Sequence, residues 1–281
     1  MLKKAKLKDD AFLADLESAR GDRESLHVWW MGQSGFLVHW NGTTILFDPY
    51  LSDALTAKYA GTEKEHVRMT ERVVDPALLM GIDIVTSTHN HSDHLDGETL
   101  MAVIGSNPEI AFVIPEANRE FVVVRLGCDL DFPDGVVDLE TIEVKGGRVT
   151  GIPAAHSEIE RDEVGRCVFL GYVMRVGPWT LYHSGDTLWY EGLEDILKPL
   201  GIDVAFLPIN GDVPARKIAG NLDGAEAARL GKAIGAKTVF PCHYDMFEFN
   251  TETPELFEAT CKEIGQGYRI PLNGERISFA D

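Results

Sequence analysis

Residues 82–97 read IDIVTSTHNHSDHLDG, and the fold turns on this stretch. Its first part, IDIVTST (82–88), is a near-continuous apolar run, the pattern of a strand buried on both faces. Directly behind it come His89, His91, Asp93, His94 and Asp96, all within eight positions. Imidazoles and carboxylates on one loop make a poor packing surface but a good set of N and O donors for a borderline divalent cation. On an extended segment residues i and i+2 point the same way, so His89 and His91 can share one metal. Asp93 and His94, past the turn, can then face a second. A polar loop whose histidines only hydrogen-bond is the competing reading, and an apolar strand running into HxHxDH disfavours it.

Three further strand ends carry candidate donors. His156 closes GIPAAHS, Asp186 sits in LYHSGDT, and His243 sits in VFPCHYD. Each terminates an apolar run, and such ends converge on one rim of a sheet, where α/β folds place their sites. Taken singly, each is equally well a residue capping a turn.

Upstream, residues 8–20 predict a helix with Phe12, Leu13 and Leu16 on one face. Three apolar runs follow, LHVWWM, GFLVHW and TTILFDP, with turns at Gly32-Gln33-Ser34-Gly35 and Asn41-Gly42. Asn-Gly between alternating apolar runs signals a hairpin, so the chain opens with an antiparallel meander. Residues 52–75 read as a charged flap or loop. Helices are expected at 97–105, 116–126, 191–199, 223–235 and 253–264, and strands at 141–145, 148–155, 167–176, 179–183, 203–209 and 237–241. Strands, then βα units, then the same again, describe two halves, each a sheet with helices outside. The expected architecture is an α/β four-layer αβ/βα sandwich, two mixed sheets packed face to face. No linker interrupts it, so residues 1–281 are expected to form one domain, with 1–25 as a helical extension.

The composition is that of a soluble globular chain, 44% hydrophobic and 25% charged. With 26 basic against 45 acidic residues the net charge is -19, which repels phosphate backbones and argues against nucleic acid as a partner. No apolar run approaches the ~18 residues of a membrane span. The N-terminal MLKKAKLKDD lacks the apolar stretch of a secretory signal, and the four cysteines show no CxxC spacing. Both point to reduced thiols in the cytoplasm. The expected partner is a small molecule; no membrane is involved, and a homo-oligomer is compatible with the sequence.

The ordered set HxHxDH, His, Asp, His resembles the metallo-β-lactamase-fold superfamily from about residue 26 to the C-terminus. Within it, VWWMGQSGFLV (28–38), ILFDPYL (45–51), STHNHSDHLD (87–96), LYHSGDT (181–187) and AKTVFPCHYDMF (236–247) look similar to the L-ascorbate-6-phosphate lactonase-like branch. There are departures: Gln33 stands where many relatives carry His, Tyr244 where those lactonases carry a second His, and the chain is shorter. The resemblance implies hydrolytic chemistry at a site of two divalent ions, zinc or manganese, with iron admitted. It implies His89, His91 and His156 on one metal, Asp93, His94 and His243 on the other, and Asp186 bridging. A hydroxide between the metals would be the nucleophile, oriented by Asp93.

Around this set the assignments are looser. Asp48, ending ILFDP, and Asp96 read either as carboxylates supporting a ligating histidine or as turn residues. His183 and Tyr244 are candidate catalytic groups, and His183 reads equally as a buried strand-end histidine. Asn210 is a candidate substrate contact, and Arg68, Arg216 and Lys217 are candidate anion contacts. The implied activity is hydrolysis of a small ester or lactone, a sugar-phosphate lactone among them. A phosphodiesterase of the same fold and a non-catalytic metal-binding protein are the alternatives. An antibiotic-hydrolysing lactamase is disfavoured by the missing export signal. A flavin-linked di-iron enzyme would need a carboxylate at position 91 and a fused flavin domain.

Overall fold

A computed structural model of the protein describes residues 2–216 and 220–280. The chain begins with α1 (Asp10–Arg20) and the meander β1 (Ser25–Gly32), β2 (Gly35–Trp40) and β3 (Thr43–Phe47). The turn between β2 and β3 is Asn41-Gly42, with φ of 44° and 88°, the left-handed pair that a tight hairpin requires. Then come α2 (Ala54–Tyr59), β4 (Ile84–Thr86), α3 (Gly97–Ser106), β5 (Ala111–Pro115), α4 (Arg119–Leu126) and β6 (Asp134–Val136). The second half runs β7 (Thr141–Val144), β8 (Gly147–Pro153), β9 (Leu170–Val176), β10 (Trp179–His183), α5 (Leu193–Leu197), β11 (Val204–Pro208), α6 (Gly224–Ala233), β12 (Thr238–Cys242), α7 (Glu255–Ile264) and β13 (Arg276–Ala280).

These strands form two mixed sheets, ordered β13-β1-β2-β3-β4-β5-β6 and β12-β11-β10-β9-β8-β7. The meander is antiparallel, while β3, β4, β5 and β6 run parallel. In the second sheet β7 to β10 are antiparallel and β10, β11 and β12 parallel. Alternation along β1 explains the layering. Val28 and Trp30 join Phe36, Phe47, Val173, Phe206 and Phe240 between the sheets, where the Phe36 and Phe206 rings lie 4.2 Å apart. Trp29 and Met31 point the other way, onto Phe12 and Leu16 of α1 and Leu100 and Val103 of α3. Both faces are covered, so the apolar pattern is continuous. Helix α6 packs on β11 and β12 of the second sheet, with α7 beside it.

Three strands were not anticipated: β5, β6 and β13. β13 pairs antiparallel with β1, Leu26 opposite Phe279, so the end of the chain closes the edge opened at its start. Its exposure is mixed, and pairing across the full length of the chain leaves no local mark. The stretch 52–75 holds α2, and its remainder is tied down by an isolated bridge between Arg68 and Phe247. Among the described residues no helix is long and apolar enough to cross a membrane.

Candidate metal centre

The loop from β4 to α3 delivers its histidines to the open end of both sheets. His89 and His94 have ring centroids 4.1 Å apart, and His91 lies 5.0 Å from His156, which follows β8. Asp186 follows β10 on a turn made possible by Gly185 (φ +60°). A Cβ there would stand 2.9 Å from Thr88 Oγ1, so only glycine lets this turn approach the histidine loop. His243 follows β12 in a left-handed conformation, φ 60°.

The donor atoms fall into two groups, His89–His91–His156–Asp186 and Asp93–His94–His243, each within 4.8 Å. Asp186 stands between them: Oδ1 is 3.2 Å from His94 Nε2, and Oδ2 is 3.4 Å from His243 Nε2 and 3.6 Å from His156 Nε2. The outer nitrogens are engaged elsewhere. His94 Nδ1 lies 2.7 Å from Asp48 Oδ2, His156 Nδ1 donates to the Gly220 carbonyl at 2.8 Å, and His89 Nδ1 meets Thr88 Oγ1 at 3.1 Å. That leaves Nε2 of each ring facing the centre. His89 Nε2, His94 Nε2 and Asp186 Oδ1 are buried without a hydrogen-bond partner. Buried polar atoms are rarely left so. One of these atoms lies in each donor group and one on the carboxylate between them, a need that divalent cations satisfy, and the residues fit such ions.

Electrostatics point the same way. Burial, reinforced by the His94 and His91 rings, pushes His89 well below the ordinary imidazole value, and burial lowers His91. Burial resists charge on Asp93 and Asp186, yet His94 and His243 hold both well below the usual carboxylate range. The pull is mutual. Against burial, Asp186 and Asp93 hold His94 well above its ordinary value and His243 up to about 9. Of these groups only His94 and His243 are driven toward the protonated form, so metal uptake at those two rings competes with a proton.

The looser assignments separate sharply. Asp48, fully buried with φ 38°, bonds His94 Nδ1 and accepts from Thr86 Oγ1 at 2.7 Å and from the Thr88 hydroxyl. It supports a candidate ligand. Asp96 instead accepts from Thr99 Oγ1 at the start of α3 and touches no histidine; burial raises its pKa. His183 is not placed for catalysis. Its Nε2 donates to the Ser34 carbonyl at 2.7 Å, its Nδ1 accepts from the Gly185 amide at 3.1 Å, and it stacks on Phe47. Tyr244 also departs from expectation. Left-handed φ at His243 and Asp245 flank it, and its ring stacks on Trp30 at 4.6 Å within the core between the sheets.

Among the described residues, Arg68, Asn210 and Arg216 do not line the cleft over the donors. Arg68 is spent on Asp53, the Ser52 and Thr70 carbonyls and the Tyr50 ring. Arg216 binds Glu252 and the Asn210 and Thr251 carbonyls, and Asn210 pairs with Asn221 and Asn250. Lys217 lies outside the described residues.

The cleft has a volume of about 510 Å³. Its walls include Leu55, Lys58 and Tyr59 of α2, Lys64 and His66 beyond it, Phe121 and Arg125 of α4, and Phe249. Tyr59 and His66 stack at 4.6 Å, and Lys58 Nζ reaches Ser92 Oγ at 3.5 Å. Leu55 to His66 lie in charged, weakly patterned sequence, which carried no signal, and Phe121 and Arg125 sit in a helix expected from sequence but not tied to the site. Gln33 was missed too. Its Nε2 is 2.8 Å from Asp93 Oδ2 and 3.0 Å from His243 Nε2. The available hints were its position in a turn between two apolar runs and the His that many relatives of the lactonase-like branch carry there.

Residues 27–243 match the family described as "Beta-lactamase superfamily domain". The chain belongs to the metallo-β-lactamase superfamily. A UPF0173 metal-dependent hydrolase of Methanopyrus kandleri is 29% identical over 255 residues, covering 88% of this chain and 96% of its own. A probable L-ascorbate-6-phosphate lactonase of Escherichia coli is 27% identical over 297 residues, covering 90% of this chain and 83% of its own. The lactonase branch is thus not singled out, and the resemblance widens to the superfamily, with the UPF0173 group at least as similar. Among solved structures, the metallo-β-lactamase fold protein YhfI of Bacillus subtilis superposes with a TM-score of 0.62 at 17% identity, covering 92% of this chain and 100% of its own. The superfamily's two mixed sheets flanked by helices are the sheets described above.

Proposed function

We infer that this chain is a metal-dependent hydrolase of a small anionic ester or lactone, with His89, His91 and His156 on one cation, Asp93, His94 and His243 on the other, and Asp186 between them. The observation that carries the reading is the contrast between the cleft and the rest of the molecule. In a chain with 45 acidic and 26 basic residues, the only acids among the described residues lining the cleft are Asp93 and Asp186, both assigned to cations. Every other charged lining residue, Lys58, Lys64 and Arg125, is basic. The walls between them are aromatic, which suits a compact organic group carrying a negative charge.

When bound, two divalent ions lower the pKa of a water toward ~7 and offset the charge that develops on the attacked group. The chain's own part is positional. Asp93, the more open of the two carboxylates, is placed to orient the attacking water. Asp48 holds His94 with Nε2 inward, and Lys58 offers its ammonium beside the histidine loop. The test combines metal analysis with a sugar lactone assayed with and without its phosphate, and with bis(p-nitrophenyl) phosphate. Two ions per chain and preference for the phosphorylated lactone support the reading. Turnover of the phosphodiester alone would make the chain a phosphodiesterase. Full metal with no turnover of any of the three would favour the non-catalytic alternative.

A further inference from the structure

We propose that the side-chain carboxamide of Gln33 is a further ligand of the Asp93–His94–His243 cation, an inference that rests on the two-metal reading above. Gln33 is buried at the turn between β1 and β2, with φ 50°. Its backbone carbonyl accepts from Trp30 Nε1 and from the His243 amide, both at 3.0 Å, so the turn is fastened to the segment that carries a candidate ligand. That fastening aims the side chain. Its terminal nitrogen lies 2.8 Å from Asp93 Oδ2 and 3.0 Å and 3.4 Å from Nε2 and Nδ1 of His243, against two members of the donor group. Donor atoms sharing one first-row cation at ~2.1 Å sit roughly 3.0–3.4 Å apart, so the carboxamide end occupies a ligand's distance from two other ligands.

Its contact with His243 cannot persist once a cation is present. The amide nitrogen stands against the His243 ring, 3.0 Å from Nε2 and 3.4 Å from Nδ1, and a cation held by Nε2 and Asp93 Oδ2 repels an N–H turned toward it. Turning the carboxamide about its last bond places Oε1 there instead, an oxygen with lone pairs to give. With Asp186, this group then has five protein donors against four in the His89–His91–His156–Asp186 group. Nitrogen dominates one group and oxygen the other, so the two cations are held unequally.

Cobalt(II) titration of the metal-free protein, followed by calorimetry and visible absorption, tests this with two variants of equal side-chain length. Gln33→Met keeps the bulk and exchanges the oxygen donor for a soft thioether, a poor ligand for cobalt(II). It is expected to weaken one cobalt equivalent by about 10–100-fold, leave the other unchanged, and intensify the visible bands as that ion's coordination number falls. Gln33→Glu keeps an oxygen donor and adds charge, and is expected to bind that equivalent at least as tightly as the parent. Unchanged affinity and spectrum in Gln33→Met would overturn the proposal, provided the parent takes two ions. Equal weakening in both variants with unaltered bands would also overturn it, leaving Gln33 as a donor that merely steadies Asp93. A parent that takes fewer than two ions would remove the two-metal reading itself. Circular dichroism and melting of the metal-free variants verify that the turn still forms.

Discussion

Replacing Asp48 by Asn should cost metal affinity even though Asp48 is not itself among the candidate ligands. The carboxylate is fully buried and serves donors on both sides, the hydroxyls of Thr86 and Thr88 and the His94 Nδ1–H at 2.7 Å. An amide has a single oxygen. If that oxygen serves the threonines, the NH2 group faces His94. The ring must then accept at Nδ1 and carry its proton on Nε2, the atom aimed at the cation. If the oxygen serves His94, a threonine hydroxyl is left facing a donor, a buried mismatch of about 1–3 kcal/mol. Changes to a group behind a ligating histidine weaken metal binding by roughly 10–100-fold, or about 1.4–2.7 kcal/mol. Zinc competition against a chelating dye measures the change. Asp96→Asn is the control. It is as buried and lies two residues from His94, yet its partners are Thr99, Ser52 and the Glu98 backbone and no histidine, so its zinc affinity should match the parent. A folded Asp48→Asn protein whose affinity stays within about twofold of the parent would refute the tautomer argument, because that argument leaves the histidine no neutral alternative.

Tyr244→Phe should leave metal content and kcat unchanged and alter stability by less than about 1 kcal/mol, since the hydroxyl is buried with no hydrogen-bond partner to lose; thermal melts and steady-state kinetics check both. Lys58→Ala should raise KM for an anionic substrate several-fold with little change in kcat, whereas Arg68→Ala should cost about 1–3 kcal/mol of stability, seen as a lower melting temperature, without a selective effect on KM. His39 gives a pH-dependent outcome. Burial pushes it down to about 4 from 6.5, so it is neutral when folded. Below pH 6.5 the unfolded chain binds more protons at this site, and stability falls as the pH drops toward 4. His39→Phe should narrow the difference between urea midpoints measured at pH 7 and pH 4.5, and an unchanged difference would show that other groups carry the acid sensitivity.

Much of this was legible because it is local. An apolar strand that breaks into HxHxDH is a statement about adjacent residues, as is Asn-Gly between two alternating runs. The later His156, Asp186 and His243 were readable because each ends an apolar run, and sheet geometry sends such ends to one rim. The helices were placed for the same reason, since their periodicity lies within ten or so residues of one another. Strands β5, β6 and β13 escaped because they are short or depend on distant partners.

What tertiary structure alone decided is which polar side chains face which. Asp48 and Asp96 look alike in sequence, but only Asp48 meets His94, across 46 positions of chain. Gln33 and His243 are 210 positions apart and touch. His183 looked catalytic from its neighbours until Ser34 and Gly185 consumed both ring nitrogens. The basic residues chosen from sequence are fastened away from the cleft, or lie outside the described residues in the case of Lys217, while Lys58, Lys64 and Arg125 line it, Arg125 held there by the Asn90 and Leu95 carbonyls. The physical reason is range. Apolar burial imposes a period on neighbouring residues and so leaves a pattern to read. A hydrogen bond or an ion pair acts across about 3 Å of space, whatever the separation along the chain, and leaves none.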